Sequence, residues 1–140
     1  MTNEAMDRTF DELAQASPVV ANRLSELRAD WAPDAPPPTV AMGDVGHAII
    51  EAIDRLGDEE LARVSAAIET ALAQGPKNVQ DAVATGLLEA AISATDRHPG
   101  GVRFLRALGQ NAKAYGRAWD TFTGRRTPGI WDESAPDGTV

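Results

Sequence analysis

Residues 57–92 read GDEELARVSAAIETALAQGPKNVQDAVATGLLEAAI, which spells two amphipathic helices joined by a glycine-proline turn. In the first, Leu61, Val64, Ile68 and Leu72 fall at steps of three and four; in the second, Val79, Val83 and Leu87 recur every four residues, with Leu88 and Ile92 alongside. Gly75 and Pro76 separate the two, because glycine ends a helix readily and proline starts one. Asp58, Glu59 and Glu60 open the first helix, with Asp58 as the expected cap, where the macrodipole favours carboxylates by roughly 0.3–1 kcal/mol each. Each helix is apolar along one stripe only, so each needs a partner surface.

Outward from this pair the pattern stays helical. An opening helix from about Asn3 to Ala16 carries Met6, Phe10 and Leu13 on one face. Ser17 and Pro18 form a cap and first-turn pair that starts a second helix, with Val20, Leu24, Leu27 and Trp31 as its stripe. Residues 33–39 lie in the run APDAPPPT, which resists helix formation and predicts a stiff extended connector. A third helix runs from about residue 40 to Leu56 with Val45, Ile49, Ile53 and Leu56 in register, and Gly57 stops it. The helix from residue 77 continues to about Thr95. After His98, Pro99, Gly100 and Gly101, a short helix carries Val102, Leu105 and Leu108, and a last one from Gln110 to Thr123 sets Tyr115, Trp119 and Phe122 on one face as core. No segment alternates with the period of a strand.

Composition agrees with a helical class. Hydrophobic residues make up 43% and charged residues 24%, ordinary globular values, while aromatics are only 5%. Alanine- and leucine-rich, aromatic-poor chains pack more readily as close helices than as sheets. With 140 residues the chain fits one domain, and domains of that size bury roughly 68–70% of the unfolded surface. The absence of cysteine excludes disulfides, thiolate zinc sites and cysteine nucleophiles. The first residues, MTNEAMDRTF, carry no apolar run of the signal-peptide kind, and no stretch of about 18 uninterrupted apolar residues occurs, so a cytoplasmic protein without membrane spans is expected. The fold class that emerges is all-α. Six or seven helices are expected to form an irregular right-handed stack of antiparallel pairs, 40–57 with 59–74 and 77–95 with 102–123. Residues 1–32 form an N-terminal hairpin, 33–39 the connector, 40–123 the main stack, and 124–140 a loose tail that pins itself through Ile130 and Trp131.

The net charge is −8, unevenly spread. Residues 58–96 hold seven acids against two bases, whereas 97–140 hold seven bases against four acids. An acidic body repels nucleic acid and anionic membrane and steers basic proteins toward itself. The basic third contains Arg97, Arg103, Arg106, Lys113, Arg117, Arg125 and Arg126, but lacks interleaved exposed aromatics, and so reads as a counterweight to the acidic body.

Candidate chemistry is sparse. Asp44, His47 and Glu51 stand at i, i+3 and i+7 on one helix face, a spacing that suits a metal, but no second helix repeats ligands at matching positions. These three read better as a polar face or partner patch. No G-x-S-x-G, P-loop or G-x-G-x-x-G is present, and the acids are dispersed rather than paired in a cleft, so no catalytic residue, metal or cofactor is assigned. Glu89, inside the apolar run ATGLLEAAI, is expected to pair with Arg103 or Arg106.

Three passages carry a resemblance. GDVGHAIIEAIDRLGDEELARVSAAIETAL (43–72), NVQDAVATGLLEAA (78–91) and LGQNAKAYGRAWDTF (108–122) resemble a family of small all-helical bacterial proteins found among immunity-type genes beside polymorphic toxins. Val79, Gln80, Asp81, Leu88 and Glu89 fall on matching positions of the middle passage. The resemblance spans about residues 19–123; the alanine-rich fifth helix and the extra tails depart from the family pattern. It implies no catalytic residues. It implies instead a cytoplasmic immunity-type protein, and the charge layout points to an acidic surface around Asp44, His47, Glu51, Asp58, Glu59, Glu60 and Asp81 as the means by which it would occlude the active site of a cognate basic toxin. Two rival readings are a helical scaffold that binds a peptide in a groove, and a metal-dependent enzyme centred on Asp44, His47 and Glu51.

Overall fold

The computed structural model describes residues 4–131. Among them there are seven helices and no strand: α1 (Glu4–Ala16), α2 (Pro18–Trp31), α3 (Pro38–Glu51), α4 (Asp58–Gln74), α5 (residues 77–94), α6 (Val102–Ala107) and α7 (Gln110–Thr123). Helix α5 is a continuous rod of three pieces, Lys77–Asp81, a π-helical turn Ala82–Leu88 and Glu89–Ala94. Short 3-10 turns, Ile53–Arg55 and Pro99–Gly101, follow α3 and α5. The fold is all-α.

The apolar stripes read from the sequence form the core. Leu13, Val20, Val45, Ile49, Val64, Val79, Val83, Leu87, Leu88 and Ile92 are fully buried in one continuous cluster. Helix α3 lies at its centre, packed against α2 on one side and α5 on the other, while α1 bridges α2 and α4. The expected pairing of 40–57 with 59–74 does not form, because α3 and α4 share no substantial contact. The principal partner of α3 is α5, across an intervening helix in sequence.

Glycine makes that partnership possible. A Cβ placed on Gly46 would fall 2.5 Å from the Leu87 carbonyl oxygen, and one on Gly86 would fall 2.7 Å from both Met42 Cβ and the Thr39 carbonyl oxygen. Gly43 faces Gly86 and Gly46 faces Leu87 and Ala91, so the contact advances in the same direction along both chains and the helices run parallel. Helix α4 supplies the return path. Every residue of the π-helical turn except Thr85 is buried in this region. With hydrogen bonds from i to i+5, a π turn is wider than an α-helical one and so presents a broader surface to its neighbour.

Helix ends are fastened largely by side chains from elsewhere. Ser17 caps α2 as expected, accepting from Val20 N at 3.4 Å with Pro18 in the first turn. Helix α3 begins at Pro38, inside the expected connector, because proline suits a first helical position. Helix α4 begins behind Gly57, and Asp58 is its first residue rather than its cap. The amide groups of Asn111 and Ala112 at the start of α7 donate to the two oxygens of Glu69 from α4, at 2.8 and 3.1 Å. Gly109 leaves room for that carboxylate, since a Cβ on it would fall 2.5 Å from Glu69 Cγ and displace the side chain. Helix α3 ends at Glu51, earlier than the expected Leu56, and the freed carbonyl oxygens of Ile53 and Leu56 accept from the Arg103 guanidinium of α6.

The last helix turns a different face inward than its aromatics suggest. Its buried residues are Ala112, Lys113, Gly116 and Asp120, while Phe122 is 82% exposed and stacks on Trp119 at 6.1 Å between ring centroids. Tyr115 and Trp119 are only partly buried against the core. The expectation of an aromatic core face is therefore corrected. Gly116 leaves space for Ile130, which is fully buried, and Asp120 accepts from Thr127 N at 2.7 Å, Thr127 Oγ1 at 2.9 Å and Trp131 Nε1 at 2.7 Å. Arg125 adds a double contact to Asp96, at 3.0 and 3.1 Å, and Arg126 lies 4.3 Å over the Trp131 ring. The loose tail expected from residue 124 is thus corrected for 124–131, which belong to the packed domain and are pinned through Ile130 and Trp131. Residues 132–140 lie outside the described residues.

Gly46→Ala should lower stability by about 1–3 kcal/mol in urea denaturation, because a methyl group there meets backbone, whereas Gly57→Ala, with nothing within 4 Å, should stay within about 0.5 kcal/mol of wild type. Asp120→Ala should lower stability by about 2–3 kcal/mol by stranding buried donors, and should shift the tryptophan emission of Trp131; unchanged stability would contradict the anchoring role.

Candidate functional site

The seven residues singled out by sequence do not form one cluster of free charge. Asp44 of α3 accepts from Arg23 Nη2 of α2 at 2.9 Å. Desolvation works against the charged guanidinium, but Asp44 and Glu26 outweigh it and hold the Arg23 pKa above its ordinary value. Asp58 pairs with Arg103 at 3.1 Å, in addition to that arginine's carbonyl contacts. Glu60 Oε2 accepts from Ser17 Oγ at 2.6 Å, tying the start of α4 to the start of α2. Asp81 pairs with Lys77 one turn earlier at 2.8 Å. Four of these surface acids are therefore held by this chain's own donors.

His47 is half-buried on α3, and Glu51 and Glu59 are exposed, their side chains without an ion pair or hydrogen bond among the described residues. No group of three or more His, Asp or Glu side chains close enough to hold a metal ion occurs among the described residues, and Asp44 is already bound to an arginine. Asp44, His47 and Glu51 share a helix face without being brought together with a ligand from a second helix.

Other acids join Glu51 and Glu59. Glu4, Asp7, Asp11 and Glu12 on α1, Asp30 at the end of α2, Asp34 in the connector and Asp54 after α3 are all exposed, and none of these side chains has an ion pair or hydrogen bond among the described residues. Asp54 and Glu51 are separated by less than one helical turn of sequence. The exposed acids without a partner among the described residues lie within the first 60 residues, and of the residues that the sequence favours only Glu51 and Glu59 are among them. The sequence contains the signal, since α1 shows acids at positions 4, 7 and 11 on one face, but which acids lack a partner depends on distances between helices.

Glu89 takes a partner that its sequence neighbourhood does not suggest. Arg103 is committed to the carbonyl groups after α3, and Glu89 Oε2 instead accepts from the Tyr115 hydroxyl of α7. The expected arginine pair is corrected to this tyrosine–carboxylate contact, which sits beside Thr85 on the one exposed position of the π turn. Burial, and then the hydrogen bond to Glu89, push the Tyr115 hydroxyl up to about 12, with Thr85 acting in the opposite sense.

No helix among the described residues is long and apolar enough to cross a membrane. No protein-family model, curated protein or solved structure matches the chain.

Tyr115 is the only tyrosine in the chain, so its ionisation can be followed alone. A phenol raised above its unfolded value of about 10 favours the folded state at neutral pH, and that contribution is lost as pH rises from the unfolded value toward about 12. Absorbance titration of the folded protein should therefore give a midpoint well above that measured in urea. Glu89→Gln should lower the folded midpoint, and coincident midpoints in native and denatured protein would contradict the assignment.

Proposed function

We propose that the chain is a cytoplasmic, non-catalytic binding protein of immunity type. It neutralises a basic bacterial toxin domain by covering the toxin's active site with the acidic surface of its N-terminal half. The observation that carries this reading is the set of exposed acids between Glu4 and Glu59 that have no partner among the described residues, interspersed with acids that the fold satisfies internally. A domain that holds Asp44, Asp58 and Asp81 against its own bases, but leaves Glu51, Asp54 and Glu59 in solvent, keeps an excess of exposed negative charge in its first 60 residues. Such an excess attracts a cationic protein, raises its association rate and repels nucleic acid. The resemblance to immunity-type proteins supplies the nature of the partner, and the acidic surface supplies the means of recognising it.

The test is affinity capture of the tagged protein from the producing bacterium at physiological salt, with mass spectrometry of stoichiometric partners. One basic toxin domain is expected, silenced in the complex. Its affinity should fall about tenfold or more in a Glu51→Lys, Glu59→Lys double variant. An Asp81→Asn variant, whose carboxylate is already paired with Lys77, should bind like wild type. Absence of a basic partner, or equal capture by the charge-reversed variant, would overturn the proposal.

A further inference from the structure

A shallow groove of about 230 Å³ opens where α1, α2, the connector and the start of α3 meet. Its apolar lining includes Met6, Phe10, Leu24, Pro36 and Ala41. Trp31 continues the α2 stripe of Leu24 and Arg28 by one further turn, and it is 40% exposed, one of only three large hydrophobic side chains so placed among the described residues. The two charged residues of the lining stand on opposite walls, Asp7 on α1 and Arg28 on α2. Asp7 belongs to a ridge with Glu4 and Asp11, at i−3 and i+4 on the same helix face, all exposed and none ion-paired among the described residues.

We infer that this groove docks a basic amphipathic segment of a partner protein, which seats apolar side chains between α1 and α2 and lays lysine or arginine along the Glu4–Asp7–Asp11 ridge. Charge complementarity selects this occupant. An acidic segment would meet Asp7 in the α1 wall and Glu4 and Asp11 beyond it on the same helix face, and a neutral apolar segment would leave these carboxylates unused. Arg28 confines the basic stripe to the α1 side and so sets the orientation of the bound segment. The volume accommodates one large apolar side chain or two small ones, and Trp31, next after Arg28 on that face of α2 and exposed, would offer its ring to a cation of the bound segment. The inference rests on the proposed basic partner, for which it supplies a second and apolar contact region.

The test uses the full-length 15N-labelled protein and two synthetic peptides. One is an amphipathic helix of leucine and lysine; the other has the same pattern with glutamate replacing lysine. The leucine–lysine peptide should give saturable amide shifts at Met6, Phe10, Ala35 and Ala41 and at the Trp31 indole, and the leucine–glutamate peptide should give none. An Asp7→Asn, Asp11→Asn variant should weaken binding about fivefold, and Trp31→Ala should weaken it as well, both with unchanged circular dichroism. Equal shifts from both peptides, shifts centred elsewhere, or no saturable shift would overturn the groove. If a basic partner is captured by the intact protein but is not displaced by the leucine–lysine peptide, the groove is not its interface and the proposed function stands. If the peptide binds the groove and no basic partner is captured, the site stands and the proposed function fails.

Discussion

Gly43, Gly46 and Gly86 allow the backbones of α3 and α5 to meet almost without intervening side chains, and the other helices are arranged around that seam. Close-packed interiors have no slack for an added methyl group, so the contact specifies its own register: one turn of slippage would bring side chains such as Met42 or Leu87 against backbone. Because the two helices run parallel, the chain needs a return element between them, and α4 fills that role while finding its own partners in α1 and α7. Burial of nearly the whole π turn shows how far the seam is enclosed. Only a helix covered on most sides can be apolar over so much of its surface.

With few aromatics available, the fold relies on carboxylates and one guanidinium to close its helix ends. Glu69 takes the place of a cap at the start of α7, Asp120 gathers three donors from the segment that follows α7, Glu60 joins two helix starts, and Arg103 gathers the carbonyl groups left by α3. Charge-assisted hydrogen bonds of this kind are stronger than neutral ones, and they matter most where backbone groups would otherwise be stranded. The acidity of the chain therefore has two parts. Some carboxylates are structural fasteners, and the remainder, from α1 to the start of α4, carry the exposed charge on which the functional proposal stands.

Much of the helix map can be read from local sequence. Ser17 with Pro18, Gly75 with Pro76, and the break from His98 to Gly101 mark boundaries that the fold respects within a residue or two. The stripes of α1, α3, α4 and α5 name most of the core. The departures have a common origin. Size and spacing point Tyr115, Trp119 and Phe122 at the core, yet the buried side of α7 is Ala112, Gly116 and Asp120, because Ile130 folds back over the glycine and donors from residues 127 and 131 satisfy the acid. Asp58 reads as a cap and Glu89 as the partner of an arginine, but Arg103 reaches from α6 to Asp58 and to the carbonyl groups after α3, which leaves Glu89 to the tyrosine. The candidate acidic surface is legible as a charge excess, but not as a location.

Propensity, capping and 3.6-residue periodicity act within a few residues of one another, so the helical class, most helix boundaries and the apolar stripes are already fixed by local sequence. The acidic balance of the chain is fixed there too. Three outcomes required the folded chain: that α3 pairs with α5 rather than α4, that residues 124–131 join the domain, and that some carboxylates are fastened while others face solvent. Those outcomes depend on which atoms meet in three dimensions, some of them distant in sequence, as between Ser17 and Glu60 or Glu69 and Asn111, and some closer, as between Asp120 and Thr127 or Trp131. No local pattern encodes such meetings. They are set by how closely glycine lets two helices approach and by which donor reaches a given carboxylate first.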